Sequence, residues 1–91
     1  MLQIIRKYII FHGSVQGVGF RYRARHAAGL YGCTGWVHNE YDGTVTMEIQ
    51  GTEEMINAVI RAINSDRFVE IESMDVKMIP VDPEERAFRT V

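Results

Sequence analysis

The chain has 91 residues, of which 46% are hydrophobic and 24% charged, as in an ordinary globular protein. This length suits one small domain, and we expect a single domain over residues 1–91. The net charge of −2 disfavours general nucleic-acid binding, which needs a basic face. The sequence contains neither an 18-residue apolar run nor a recognisable secretion signal, so we expect a cytoplasmic protein that does not contact a membrane.

The cysteine and histidine residues do not predict a metal or redox site. Cys33 is the only cysteine, which rules out an intramolecular disulfide and favours a small apolar role in the core. His12, His26 and His38 are scattered and lack the spacing of metal ligands. We therefore expect no metal.

The first third of the chain predicts a strand, a loop and a helix. Residues 3–12 are rich in β-branched and aromatic residues and predict an inner strand. A glycine-rich loop follows, and a helix is expected from about Arg21 to Tyr31, ended by Gly32. The residues expected on its buried face are Phe20, Ala24, Ala27, Ala28 and Tyr31.

The middle third predicts a hairpin and a second helix. Residues 33–39 form the first strand of the hairpin, 40–43 its turn, and 44–50 the returning strand. In that strand the apolar residues should face the core, and Thr46, Glu48 and Gln50 should face outward. Thr52 is the expected N-cap of the second helix. Its buried stripe comprises Met55, Ile56, Val59, Ile60, Ala62 and Ile63.

Residues 68–79 predict a further strand whose alternation slips. Val69 and Ile71 share one phase, whereas Met74 and its alternating neighbours share the other. Either a β-bulge or a loop up to about Glu72 would explain the slip. Residues 87–91 can add a short edge strand.

The order β-α-β-β-α-β predicts an α+β, ferredoxin-like two-layer sandwich. Its four-stranded antiparallel sheet has both helices on one face, with room for a short extra C-terminal strand. This fold hosts many functions, but one cysteine cannot hold an iron–sulfur cluster. An RNA-binding sheet would need exposed aromatic residues where Thr46, Glu48 and Gln50 are expected.

The loop Gly-Ser-Val-Gln-Gly-Val-Gly-Phe-Arg, residues 13–21, is the best candidate site. Its glycines permit a tight path, and backbone N–H groups at a helix start can converge on an anion. Arg21 can meet an oxyanion in bidentate fashion. The loop lacks the Gly-Lys-Ser/Thr ending of a nucleotide-binding loop. Taken alone, it can equally be an ordinary strand-to-helix turn.

A second motif, Gly35-Trp-Val-His-Asn39-x-x-x-Gly43-x-Val45, gives the loop its context. Together with Gly-x-Val-Gln-Gly-Val-x-Phe-Arg, it resembles the two signatures of the acylphosphatase family. The resemblance covers nearly the whole chain and implies a hydrolase that cleaves acyl phosphates to carboxylate and inorganic phosphate. It also implies a small-molecule substrate and no metal or organic cofactor. We further expect a monomer with no nucleic-acid partner.

By motif position, the resemblance implies that Arg21 binds the phosphate and that Asn39 orients the attacking water. The residues implied in phosphate binding are Ser14, Val15, Gln16, Gly17, Val18, Gly19, Phe20 and Arg21. These residue types suit phosphoryl transfer, which depends on positioning and on stabilising charge over three equatorial oxygens. Asn39 cannot act as a base at neutral pH, but its amide can hold a water in line.

Other interpretations of these residues remain open. Asn39 precedes a turn, where asparagine is common for local backbone bonding. His38 should point to the opposite face, and Ser14 has no arranged base that would make it a nucleophile. Thr44 and Thr46 could support Asn39 across the hairpin. The alternative function is a non-catalytic anion-binding or regulatory module of the same fold.

Overall fold

The computed structural model describes residues 2–91, which form five strands and two helices. In chain order these are β1 (Ile4–Ser14), α1 (Phe20–Tyr31), β2 (Thr34–Asn39), β3 (Val45–Thr52), α2 (Glu53–Asn64), β4 (Glu70–Ile79) and β5 (Phe88–Thr90). The sheet order is β4-β1-β3-β2-β5, antiparallel throughout except for the parallel pair β2 and β5. The predicted ferredoxin-like sandwich is confirmed, and the short C-terminal strand joins its sheet.

One hydrophobic core joins the helices to the sheet. Ile9 and Phe11 of β1 are fully buried in it, and the ring of Phe11 meets Phe20 of α1 edge-on. Most of the predicted face of α1 is buried, but Tyr31 remains 39% exposed. That part of the prediction is wrong because Tyr31 lies in the last turn of the helix. The N-cap of α2 is Thr52, as predicted, and its hydroxyl accepts a hydrogen bond from the backbone N–H of Met55.

The phase slip near residue 72 is a β-bulge. His12 pairs with Ser73 and Gly13 with Ile71, so one step along β1 matches two along β4, and Glu72 is the extra residue. The bulge requires glycine at position 13, where φ is +127°. A Cβ there would lie 2.1 Å from the carbonyl oxygen of Glu70. The bulge therefore explains the slip, and the alternative of a loop up to Glu72 is wrong.

The connection from β4 to β5 must cross the sheet, since these strands lie at opposite edges. It crosses the face opposite the helices, because it binds Arg6 and Gln50, which alternate with the core-facing residues of β1 and β3. The guanidinium of Arg6, a residue only 4% exposed, donates to Glu48 at 2.9 Å and to both carboxylate oxygens of Glu85 at 2.7 and 3.2 Å. The hydrogen bond to Glu85 raises the pKa of Arg6 despite its burial. The side chain of Gln50 likewise exchanges two hydrogen bonds with the backbone of Asp82.

Two residues of β3 differ from the expectation that they face solvent. Thr46 and Gln50 do point away from the helices, but they are buried rather than solvated.

No helix within residues 2–91 is both long and apolar enough to cross a membrane.

Candidate active site

The loop of residues 15–19 leads from β1 directly into the first turn of α1. Gly19 is the N-cap of the helix and has φ +82°, a left-handed conformation that glycine adopts without strain. No side chain caps this end, and the first turn contains no acidic residue. The first N–H groups of α1 therefore lack intrahelical partners and carry the positive end of the helix dipole.

The start of α1 and the end of β2 enclose one small cavity of about 210 Å³. The residues that line it are Val15, Gly17, Gly19, Phe20, Arg21, Tyr22 and Asn39. Asn39 reaches this side of the sheet because it pairs with Val45, which in turn pairs with the core residue Phe11. The structure thus brings together Arg21 and Asn39, the two residues that the sequence motifs single out.

Asn39 has an unusual polar environment. Its side-chain oxygen Oδ1 is buried and has no hydrogen-bond partner among the residues that the structure describes. Buried polar atoms are nearly always paired, so an orphaned oxygen in a cavity indicates a place for a water or a ligand group. Arg21 is exposed and forms no ion pair within residues 2–91. Its guanidinium is therefore free to meet an anion.

Three of the predicted loop residues do not line the cavity. Ser14 is exposed at the end of β1, where it pairs with Glu70. Val18 packs against the hydrophobic core. The side chain of Gln16 points toward the hairpin, and its Nε2 donates to the carbonyl oxygens of Glu40 at 2.7 Å and Thr44 at 2.8 Å.

This link was not foreseen from the sequence. The resemblance implies a role for Gln16 in phosphate binding, whereas its side chain ties the loop to the residue that follows Asn39. One available signal was a two-donor amide in a stretch otherwise made of glycine and valine.

The hairpin threonines do not support Asn39, contrary to expectation. The Thr44 hydroxyl donates to Asp42 at 2.7 Å, and the Thr46 hydroxyl donates to Glu40 at 2.6 Å. The hydroxyl and the backbone N–H of Thr44 lower the pKa of Asp42. These hydrogen bonds fix the conformation of the hairpin turn. The turn presents the carbonyl groups that Gln16 binds.

Two further residues are placed as expected. His38 lies on the other face of the sheet from Asn39, with its Nδ1 2.7 Å from the carbonyl oxygen of Val91. Cys33 is buried, and burial raises the pKa of its thiol to about 11, so it is neutral at physiological pH.

Residues 2–91 contain no cluster of three or more His, Cys, Asp or Glu side chains that could hold a metal ion.

Known proteins resemble this chain closely in sequence and structure. Residues 7–90 match the acylphosphatase family. An acylphosphatase of Clostridium acetobutylicum is 42% identical over 90 residues, which cover 97% of this chain and 99% of that protein. The crystal structure of acylphosphatase from Bacillus subtilis superposes with a TM-score of 0.85 at 30% identity, covering 96% and 98% of the two chains.

A larger protein contains a similar unit. Full-length HypF, in its phosphate- and nucleotide-bound form, superposes with a TM-score of 0.85 at 32% identity, but the match covers only 12% of that chain. Fold, site motifs and sequence define a small hydrolase of the acyl-phosphate-cleaving class. The chain belongs to the acylphosphatase family.

Proposed function

We propose that this protein hydrolyses acyl phosphates at the cavity between α1 and β2, releasing a carboxylate and inorganic phosphate. One observation supports this site above all others. Asn39 lines the same cavity as Arg21 and the start of α1, and its buried Oδ1 has no hydrogen-bond partner among residues 2–91. This cavity therefore combines a place for a water with a place for a phosphoryl group.

The phosphoryl group would be held by the loop and by Arg21. Residues of the loop line the cavity where α1 begins, so the backbone N–H groups of residues 15–20 would bind the phosphoryl oxygens, and the Arg21 guanidinium would add a full positive charge. Negative charge spreads over three equatorial oxygens in the transition state, and fixed donors stabilise it without reorganisation. The phosphate-binding roles of Ser14, Gln16 and Val18 are limited to backbone groups and loop shape, since their side chains do not line the cavity.

The attacking water would be held by Asn39. Its orphaned Oδ1 can accept a hydrogen bond from the water, which turns an oxygen lone pair toward phosphorus. The P–O bond to the acyl group breaks as the new P–O bond forms, and the carboxylate leaves with that bond's electron pair. A carboxylate is a good leaving group and needs no strong general acid. The proton from water passes to a phosphoryl oxygen of the substrate.

We propose direct attack by water rather than a phosphoenzyme. Ser14 is exposed outside the cavity, and Cys33 is a neutral, buried thiol. Neither has the activated character that a nucleophile requires.

The comparison with HypF favours a second candidate, an anion-binding module that lacks turnover by itself. In both candidates phosphate would occupy the same cavity, so only turnover distinguishes them.

The expected single domain, monomeric state, cytoplasmic location and lack of nucleic-acid or membrane partners stay predictions.

The decisive assay is phosphate release from acetyl phosphate in the presence of a chelator. We expect turnover far above the uncatalysed background, and we expect inorganic phosphate to inhibit it competitively. Binding of inorganic phosphate, measured by calorimetry, without any turnover of acetyl phosphate would instead support the binding module. A strict requirement for added metal would contradict the proposed mechanism.

A further inference from the structure

A shallow groove runs along the exposed face of α1, away from the phosphate end of the site. It has a volume of about 410 Å³ and is lined by Tyr22, Arg25, His26, Gly29 and Leu30. These residues recur at three- and four-residue intervals and therefore form one stripe on the helix. We refer to this stripe as the acyl groove. Its volume falls within the range of small-molecule sites.

Tyr22 connects the acyl groove to the active-site cavity, because it lines both. Side chains in a helix lean toward its N-terminus, so Tyr22 leans toward the loop that would hold the phosphate. The side chain is 74% exposed, although it is large and aromatic. A group attached to a phosphoryl bound by Arg21 would therefore meet the ring of Tyr22 as it left the cavity.

The rings of Tyr22 and His26 are exposed and stacked on each other. They lie nearly parallel, at 9°, with centroids 6.3 Å apart. Leu30, 70% exposed, continues the apolar surface one turn further. Exposed aromatic rings suit contact with a planar aromatic ligand, and none of the five lining residues is acidic. Arg25 adds positive charge that favours an anionic substrate.

Gly29 leaves the floor of the groove open. It lies inside α1, where glycine costs about 0.5–1 kcal/mol relative to alanine. A Cβ at this position would meet no atom within 4 Å, so close packing does not require the glycine. What the missing side chain does provide is depth in the groove. Gly29 lies about 10 Å along the helix axis from Tyr22, which is within reach of a two-ring acyl group.

We infer that the acyl groove binds the acyl part of the substrate and that the enzyme prefers aromatic acyl phosphates. This inference rests on the proposed function, because it assigns the leaving carboxylate to a specific surface. A benzoyl group stacks on Tyr22, and a biphenylcarbonyl group extends over His26 to Gly29.

Binding of non-hydrolysable analogues tests the groove without turnover. In acetonylphosphonate and phenacylphosphonate a methylene replaces the bridging oxygen, and the two differ only by methyl against phenyl. Calorimetry should show phenacylphosphonate binding about 3–10-fold more tightly. In Tyr22→Ala the ratio of the two affinities should fall toward one. Tyr31→Ala is the matched control, because Tyr31 is an exposed tyrosine on α1 that lines neither cavity, and it should keep the ratio.

Gly29→Ala tests the length of the groove. It should weaken the biphenyl analogue of phenacylphosphonate at least about threefold while leaving phenacylphosphonate itself unaffected, because one ring ends before Gly29. The inference would be overturned if the wild-type protein bound phenacylphosphonate and acetonylphosphonate equally tightly. It would also be overturned if Tyr22→Ala left their affinity ratio unchanged. If acetyl phosphate is hydrolysed but the two phosphonates bind equally tightly, only the assignment of the groove is wrong. If the analogues bind as expected but acetyl phosphate is not hydrolysed, the proposed turnover is wrong and the groove stands.

Discussion

The side-chain nitrogen of Gln16 lies 2.7 Å from the carbonyl oxygen of Glu40, the residue that follows Asn39. This hydrogen bond, with a second one to Thr44, joins the loop that would hold the phosphate to the hairpin that would position the water. The two halves of the site come from separate elements, so their relative position depends on such a link. We therefore expect Gln16 to act through Asn39 as a positioning residue.

Replacing Gln16 with Glu should disturb this link. A carboxylate cannot donate to two carbonyl oxygens, and it would repel them. We expect kcat to fall about 10–100-fold, since small misplacements of reacting groups cost that much. Inhibition by phosphate should weaken by a smaller factor, because the new carboxylate lies in the loop that would hold the anion. Gln3→Glu introduces the same charge at an exposed position before β1 and should leave kcat unchanged. A rise in the inhibition constant for phosphate that matches the loss of kcat would contradict a positioning role.

Glu85 should be more important to stability than its acidic neighbours. It pairs with the buried guanidinium of Arg6, and Glu85→Ala would leave much of that charge uncompensated. We expect a loss of about 2–4 kcal/mol in the free energy of unfolding, measured by urea denaturation. Glu84→Ala is the control, because Glu84 is exposed and forms no ion pair within residues 2–91. Equal effects of the two substitutions would show that the ion pair does not secure the crossing segment.

Gly13 and Gly29 should respond to alanine in opposite directions. Gly13→Ala would force a Cβ against the backbone of Glu70 at a φ of +127° and should cost about 3 kcal/mol or more. Gly29→Ala meets open space inside a helix and should stabilise the protein by about 0.5–1 kcal/mol. Thermal denaturation of both variants checks this contrast. A Gly13→Ala variant as stable as the wild type would contradict the bulge at this position.

Cys33 should make stability depend on pH in alkaline solution. The thiol pKa is about 11 in the folded protein, against 9.0 as the ordinary value, so the folded state holds the proton more tightly. Its contribution is complete below pH 9 and is lost as the pH rises toward 11, up to about 2–3 kcal/mol. Denaturation at pH 8 and at pH 10.5 should show a steeper loss in the wild type than in Cys33→Ala. Parallel losses in the two proteins would contradict burial of the thiol.

Much of the fold follows from local sequence signals. Alternation in β3, the Thr52 cap and the strand order of the hairpin were all predictable because they depend on near neighbours. The slip around Glu72 indicated a bulge, but only the pairing with Gly13 chose between a bulge and a loop. The burial of Gln50 was missed because it depends on Asp82, more than thirty residues away in sequence, and that of Thr46 because the side chain of Glu40 folds back onto its hydroxyl.

The candidate site, like the fold, was predictable from the sequence only in part. Arg21 and Asn39 were found through their motifs, and the structure places them in one cavity. The link through Gln16 and the groove along α1 were missed. Both depend on where a side chain points across the fold, and residue type alone does not reveal this.

The roles of Arg21 and Asn39 can be separated by measuring two quantities on each variant. These are kcat/KM for acetyl phosphate and the inhibition constant for inorganic phosphate. Arg21→Ala should lose both activity and phosphate binding, because it removes the cationic clamp from the cavity.

Asn39→Ala gives the most direct test of the mechanism. Its buried Oδ1 has no partner in the part of the chain that the structure describes, so removing the side chain should affect the water and leave the phosphate site intact. We expect kcat/KM to fall about 10²–10³-fold while the inhibition constant for phosphate stays close to that of the wild type. An Asn39→Ala variant that keeps most of its activity, or that loses phosphate binding along with it, would contradict the role of Asn39 in holding the attacking water.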